Sequence, residues 1–171
     1  MRQLRFPNQE QECFGSCLAN YFDLIEEYEL AESVYQNFRR HPLVRSDGAM
    51  LPSLSSRLVR DLTDNRYRGK YSYIPIENNL GEIVEQVLGV KKTEALQAIK
   101  QEIESGNAFE TAKIEYNRPA LVLHYFSKIN FCHWIVDVGH DWVIDDGLWQ
   151  KVINLPKFQS FVKGVMTIEK V

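Results

Sequence analysis

Hydrophobic spacing changes character once along this chain, and that change restricts the fold more than any single residue does. Through the first hundred or so positions the apolar residues recur at helical intervals. Cys17, Leu18, Tyr21, Phe22, Leu24 and Ile25 predict a helix over 13–27 with one buried stripe. Leu30, Val34 and Phe38, four apart, predict a second over 30–39, stopped at His41-Pro42 because proline disfavours helix in the residue before it. Ser53 reads as the N-cap of a third, carrying Leu54, Leu58, Val59 and Leu62. A short helix is expected over 80–88. A longer one over 93–104 has Thr93 as cap, Leu96, Ile99 and Ile103 as its apolar face, and Gly106 as terminator.

Alternation then takes over. It also surfaces once earlier, in a strand over 70–76 that interrupts the helical part and is moved toward an edge by Pro75. After a polar stretch over 109–117 come strand candidates at 120–125, 131–146 and 162–168, the middle one a hairpin. Helices first and an antiparallel sheet second indicate an α+β domain. The 171 residues suit a single domain, 1–171, with no internal repeat or linker.

Composition excludes several classes. A net charge of −3 is a poor match for nucleic-acid binding, which needs concentrated Lys and Arg. The densest basic group, Arg57, Arg60, Arg66, Arg68 and Lys70, is broken by Asp61 and Asp64 and reads as a solvated face. No apolar run reaches the ~18 residues of a membrane span. The first residues lack the apolar core of a secretory signal. Three cysteines do not make a disulfide framework, so a reducing, cytoplasmic setting is expected, with non-classical export left open.

Two segments carry chemistry. Cys13 stands one turn before the apolar run, where a helix N-terminus favours thiolate and leaves backbone N–H groups free for an oxyanion. Cys17 is one turn further in, on the apolar face, which argues for Cys13; the bland alternative makes both small buried hydrophobes. Some 120 residues later, Gly139-His140 can form a two-residue type II′ turn. Paired positions then sum to 279: Val138 faces Asp141, Ile135 faces Ile144 and His133 faces Asp146, with Asp145 turned toward the face of Trp134. A slipped register favours Asp145 instead. A carboxylate beside the imidazole would fix its tautomer and stabilise the imidazolium. An ordinary hairpin with a structural histidine is the bland alternative.

The segment Glu12-Cys13-Phe14-Gly15-Ser16-Cys17-Leu18-Ala19-Asn20 resembles the nucleophile segment of the bacteriocin-leader (double-glycine) peptidases, with Phe14 in place of the usual glycine. Its spacing is also similar to that of Josephin-type deubiquitinases. In a second register, Gln11 through Ala19 resembles the papain signature, with Cys17 as nucleophile and Gln11 as oxyanion donor. His133-Trp134-Ile135-Val136 and Trp142-Val143-Ile144-Asp145-Asp146 resemble the His strand and acid-ended return strand of papain-like hydrolases.

The resemblance implies a papain-like fold, with a nucleophile helix and helical region packed on a C-terminal antiparallel sheet. It implies a thiol hydrolase, a cysteine peptidase cleaving a peptide or isopeptide bond of a peptide or protein substrate. Cys13 is then nucleophile, His133 base and Asp146 orienter, with Asp145 the alternate. Gln9 would donate to the oxyanion, with Asn8 as a further candidate; Cys17 with Gln11 is the alternate pair. No metal or organic cofactor is required. An acyl- or aminoacyl-transferase on the same scaffold, or a catalytically silent binding module, are the rival readings.

Other residues are expected to be structural. His124 reads as packed on its strand, His41 and His140 as solvated, and Cys132 as core. A zinc site from Cys13, Cys17, Cys132 and His133 has suitable ligand types, but adjacent strand residues diverge. Tyr71, Tyr73 and Trp149 are candidates for lining a cleft or for packing.

Overall fold

The computed structural model describes residues 6–74, 92–126, 131–152 and 162–171. The expected helix over 80–88 and the end of the strand at Pro75 and Ile76 lie outside the described residues. Among these, four α-helices and seven strands form an α+β arrangement: α1 (Cys13–Leu24), α2 (Tyr28–Asn37), α3 (Ser55–Leu62), β1 (Tyr67–Tyr73), α4 (Lys92–Glu104), β2 (Ala108–Glu110), β3 (Ala120–Phe126), β4 (Phe131–Gly139), β5 (Trp142–Asp145), β6 (Leu148–Lys151) and β7 (Val162–Lys170). No described helix is long and apolar enough to cross a membrane.

The sheet runs in the order β2-β1-β7-β3-β4-β5-β6. It is mixed, because β1 and β2 pair in parallel while the other neighbours are antiparallel. One expectation is corrected here. The strand expected at 70–76 begins three residues earlier and lies between β2 and β7, so it is not an edge. Within the polar stretch 109–117, Phe109 and Glu110 belong to β2.

Helix α1 is the centre of the molecule. Every residue from Phe14 to Phe22 is buried, including polar Ser16 and Asn20. Both side chains donate to the preceding chain: Ser16 Oγ to the Phe6 carbonyl at 2.7 Å and Asn20 Nδ2 to the same oxygen at 2.8 Å. The helix stops at Leu24, short of the expected Glu27. Glu26 adopts φ 67°, and the Glu26 and Glu27 N–H groups donate back to the carbonyls of Asp23 and Phe22. This is a Schellman cap with a glutamate in the left-handed position.

Ser53 does not cap α3. The chain enters through a 3-10 turn, Pro52–Leu54, and Ser55 Oγ donates to the Pro52 carbonyl at 2.6 Å. Gly106, at φ 70°, ends α4 as expected, with the Asn107 N–H donating to the Glu102 carbonyl. The buried face of α4 differs from expectation. Leu96 and Ile103 are exposed, whereas Ala95 and Glu102 are buried. Arg60 on α3 supplies the counter-charge that allows this, with Nη2 2.7 Å from Glu102 Oε1.

Two apolar layers hold the sheet. On one face Leu121, Leu123, Trp134, Val136, Ile144 and Met166 pack on α1 and the other helices. On the other, Val122, Ile135, Val143 and Val165 are covered in part by Ile114 and Tyr116. At about 25 cal/mol per Å² of buried apolar surface, fully burying a side chain such as Phe22 or Leu18 stabilises the fold by about 2 kcal/mol.

Candidate active site

The β4–β5 hairpin turns one position later than expected. His140 (φ 51°) and Asp141 (φ 64°) are both left-handed and form the connection between paired Gly139 and Trp142. Two left-handed central residues define a type I′ turn rather than type II′. An irregularity between Asp137 and Gly139 then sets Val136 opposite Ile144 and Asp137 opposite Val143. A one-residue slip reverses which face each side chain takes. Ile144 therefore lies with Val136 and Trp134, while Asp145 falls on the side of Ile135 and His133.

Asp146 has a different role. It (φ 47°) and Gly147 (φ 83°) make the left-handed turn joining β5 to β6, between paired Asp145 and Leu148. The chain passes so near that a β-carbon on Gly147 would lie 3.0 Å from Pro7 Cα. This approach brings the N-terminal segment alongside the turn, and Asn8 Nδ2 donates to Asp146 Oδ1 at 2.9 Å.

His133 enters this junction from β4. Its Nε2 lies 2.5 Å from Asp145 Oδ1 and 3.6 Å from Asp146 Oδ1. Asp145 is thus the closer partner, in place of the pairing expected for Asp146. A carboxylate only accepts, so Nε2 carries the proton and Nδ1 is the nitrogen left for a second partner. The Cys13 sulfur is the other group within hydrogen-bonding reach of the ring. Burial works against charge on His133, but the hydrogen bonds its ring donates to Asp145 and Cys13, with the negative charge on those partners, outweigh it, and its pKa is raised to about 10.

The other sequence candidates separate from this group. Cys17 is buried, its Sγ donates to the Trp134 carbonyl at 2.9 Å, and burial foremost pushes its thiol well above the usual range. Cys132 is half-buried against the main core and is pushed up to about 11, chiefly by burial and then by Cys13. Gln9 is exposed and borders a shallow depression with Glu12, Tyr35, Gln36, Arg39, Arg40 and Ser46. Gln11 is also exposed.

Asn8 is the upstream amide that reaches the junction, but Asp146 occupies its donor end. The backbone remains as a source of oxyanion donors. The first helical bond runs from the Ser16 N–H to the Glu12 carbonyl, so the N–H groups of Cys13, Phe14 and Gly15 have no acceptor within the helix.

Among the described residues, the four candidate zinc ligands do not gather. The ligand atoms that do are those of His133, Asp145 and Asp146. An ion with ligands at ~2.1 Å each would hold two of them about 3 Å or more apart. The 2.5 Å between His133 and Asp145 is a direct hydrogen bond instead.

His124 is the neighbour that the sequence did not flag as part of the site. It faces His133 across the β3–β4 ladder and is buried. Burial and then the charge on His133 push it down to about 4, against the pull of Asp145. His41 is half-buried rather than solvated, with Nε2 3.2 Å from Asp61 and Nδ1 accepting the Leu43 N–H. Tyr71 is core: it stacks on Tyr73 at 5.5 Å and leans on Trp134. Trp149 is half-buried against Trp142 at 6.2 Å.

No protein-family model matches this chain, and no curated protein matches it in sequence. The functional reading therefore rests on the chemistry of the junction.

Proposed function

We propose that this protein is a papain-like thiol hydrolase, a cysteine peptidase acting on a peptide or isopeptide bond. The observation that carries the reading is the shared imidazole: His133 bonded to the Cys13 thiol on one side and, at 2.5 Å, to Asp145 on the other. Cysteine, histidine and carboxylate in series form the constellation that nucleophilic acyl transfer requires.

In this reading His133 holds the proton and Cys13 is the thiolate that attacks the acyl carbon. Unpaired N–H groups of the first turn of α1 hold the oxyanion, His133 protonates the leaving amine, and water releases the acyl group from the thioester. Asp145 keeps the ring oriented and stabilises its charged form. Asp146, more exposed and held by Asn8, adds negative charge behind the ring.

Labelling with iodoacetamide or an acyl-site electrophile tests the proposal. At pH 6 to 7, Cys13 reacts fast, Cys17→Ala leaves labelling intact, and Cys13→Ala or His133→Ala abolishes it. Equal, slow labelling of wild type and His133→Ala would overturn the hydrolase reading and favour a silent binding module.

A further inference from the structure

The residue immediately before Cys13 is held by more contacts than a surface turn requires. The Glu12 side chain is only 12% exposed, and its carboxylate accepts a hydrogen bond from Arg39 Nε. Arg39 also reaches Glu10, with Nη2 3.4 Å from Oε2. Burying a carboxylate is costly unless it is paired, so Arg39 is what allows Glu12 to point inward.

From the other side, the loop over 45–49 presses on the same residue. A β-carbon on Gly48 would overlap Glu12 Cγ and lie 3.1 Å from Glu12 N and 3.2 Å from its Cα. Gly48 sits at φ 88°, so a side chain there is strained as well as crowded. The loop braces itself: the Gly48 N–H donates to the Arg45 carbonyl and the Arg45 N–H to the Ala49 carbonyl, each at 2.9 Å. Asp47 Oδ1 accepts the Ala49 N–H, its other oxygen binds Arg45, and its carbonyl accepts the Gln11 N–H at 3.3 Å. Glu12 in turn accepts the first helical hydrogen bond of α1, from Ser16.

We propose that Gly48 and Arg39 are positioning residues for the nucleophile. They clamp Glu12 between loop and cation and so fix the first turn of α1, with its Cys13 thiol, against His133. This inference rests on the hydrolase reading of Cys13. The clamp also sets the local charge. Arg39, Glu10 and Tyr35 face Glu12, and His133, Cys17 and Cys132 surround Cys13, with Asp145 and Asp146 behind the imidazole. Removing the Arg39 charge leaves the Glu12 carboxylate inward-pointing without its partner, which loosens the turn that carries Cys13.

The test is the pH profile of Cys13 alkylation by iodoacetamide, with circular dichroism as the check on folding. In Gly48→Ala, alkylation at pH 6 falls by about tenfold or more, because small displacements of reacting groups are costly. Arg39→Gln lowers the pH 6 rate in the same direction, and Arg39→Lys, which keeps the charge, restores it. A purely structural clamp would lower the melting temperature without changing the alkylation rate of the folded protein at any pH. Folded Gly48→Ala and Arg39→Gln proteins with the wild-type profile would overturn the inference and leave the hydrolase reading standing. If Gly48→Ala does not fold, the Arg39 pair decides. Wild-type protein without a fast-reacting Cys13 sinks both.

Discussion

Asp145 and Asp146 offer the same carboxylate at neighbouring positions, yet their backbones commit them to different work. Asp145 ends β5 in the ladder, with its side chain fixed beside His133. Asp146 sits in a left-handed turn, is 57% exposed, and gives its near oxygen to Asn8 as well. Removing a charged acceptor from a half-buried imidazole costs about 1.5–3 kcal/mol. Asp145→Asn should therefore slow Cys13 alkylation at neutral pH by about tenfold or more. It should also lower the pKa of His133 from about 10, pulling in the alkaline end of the reactive range. Asp146→Asn loses an exposed charge worth about 1 kcal/mol or less, so its alkylation rate should stay within about fivefold of wild type. The reverse ranking would make Asp146 the orienting residue.

The two turns that set this choice were legible in the chain to different degrees. Asp146-Gly147 is among the strongest sequence signals for a type I′ hairpin, and taking it as the turn makes Asp145 the last strand residue. The competing Gly139-His140 reading hid it, because glycine and histidine before an Asp-Trp pair fit a type II′ turn as well. The helices around Cys13 could be read from apolar spacing, although that spacing predicts one buried stripe for α1 whereas every residue from Phe14 to Phe22 is buried. The face of α4 could not, because Glu102 is buried by Arg60, a partner 42 residues away that local periodicity does not register. Nor does any local signal tell β1 that it lies inside the sheet. At the β4–β5 turn the strain is testable. His140 and Asp141 both hold positive φ, where Asn-Gly is preferred. Replacing the pair by Asn-Gly should stabilise the protein by about 0.5–1 kcal/mol, raising Tm by about 2 °C, with Cys13 labelling unchanged. A lower Tm would argue against the observed register.

Across the whole molecule, the α1 thiol and the β4 imidazole meet because the helix is buried against the sheet, and that burial also encloses a second histidine. His124 is 6% exposed and faces His133, so protonating it places two positive rings side by side in the interior. Its folded pKa of about 4 lies below the unfolded value of about 6.5, so the unfolded chain takes up its proton first as pH falls. The stability that His124 contributes is thus complete above about pH 6.5 and is lost as pH drops toward 4, by up to about 3 kcal/mol. His41, also held down chiefly by burial, adds in the same direction. His133 has the opposite sign: its folded pKa is raised to about 10, so its contribution is full below pH 6.5 and is lost as pH rises through 10. Melting temperature should therefore fall on both sides of a maximum near neutrality. His124→Gln, which cannot take up the proton, should flatten the decline between pH 6.5 and 5, above the range where most carboxylates titrate, while leaving the alkaline decline in place. An acid decline of unchanged slope in that variant would show that His124 is protonated in the folded protein at these pH values, and that burial beside His133 does not hold it neutral.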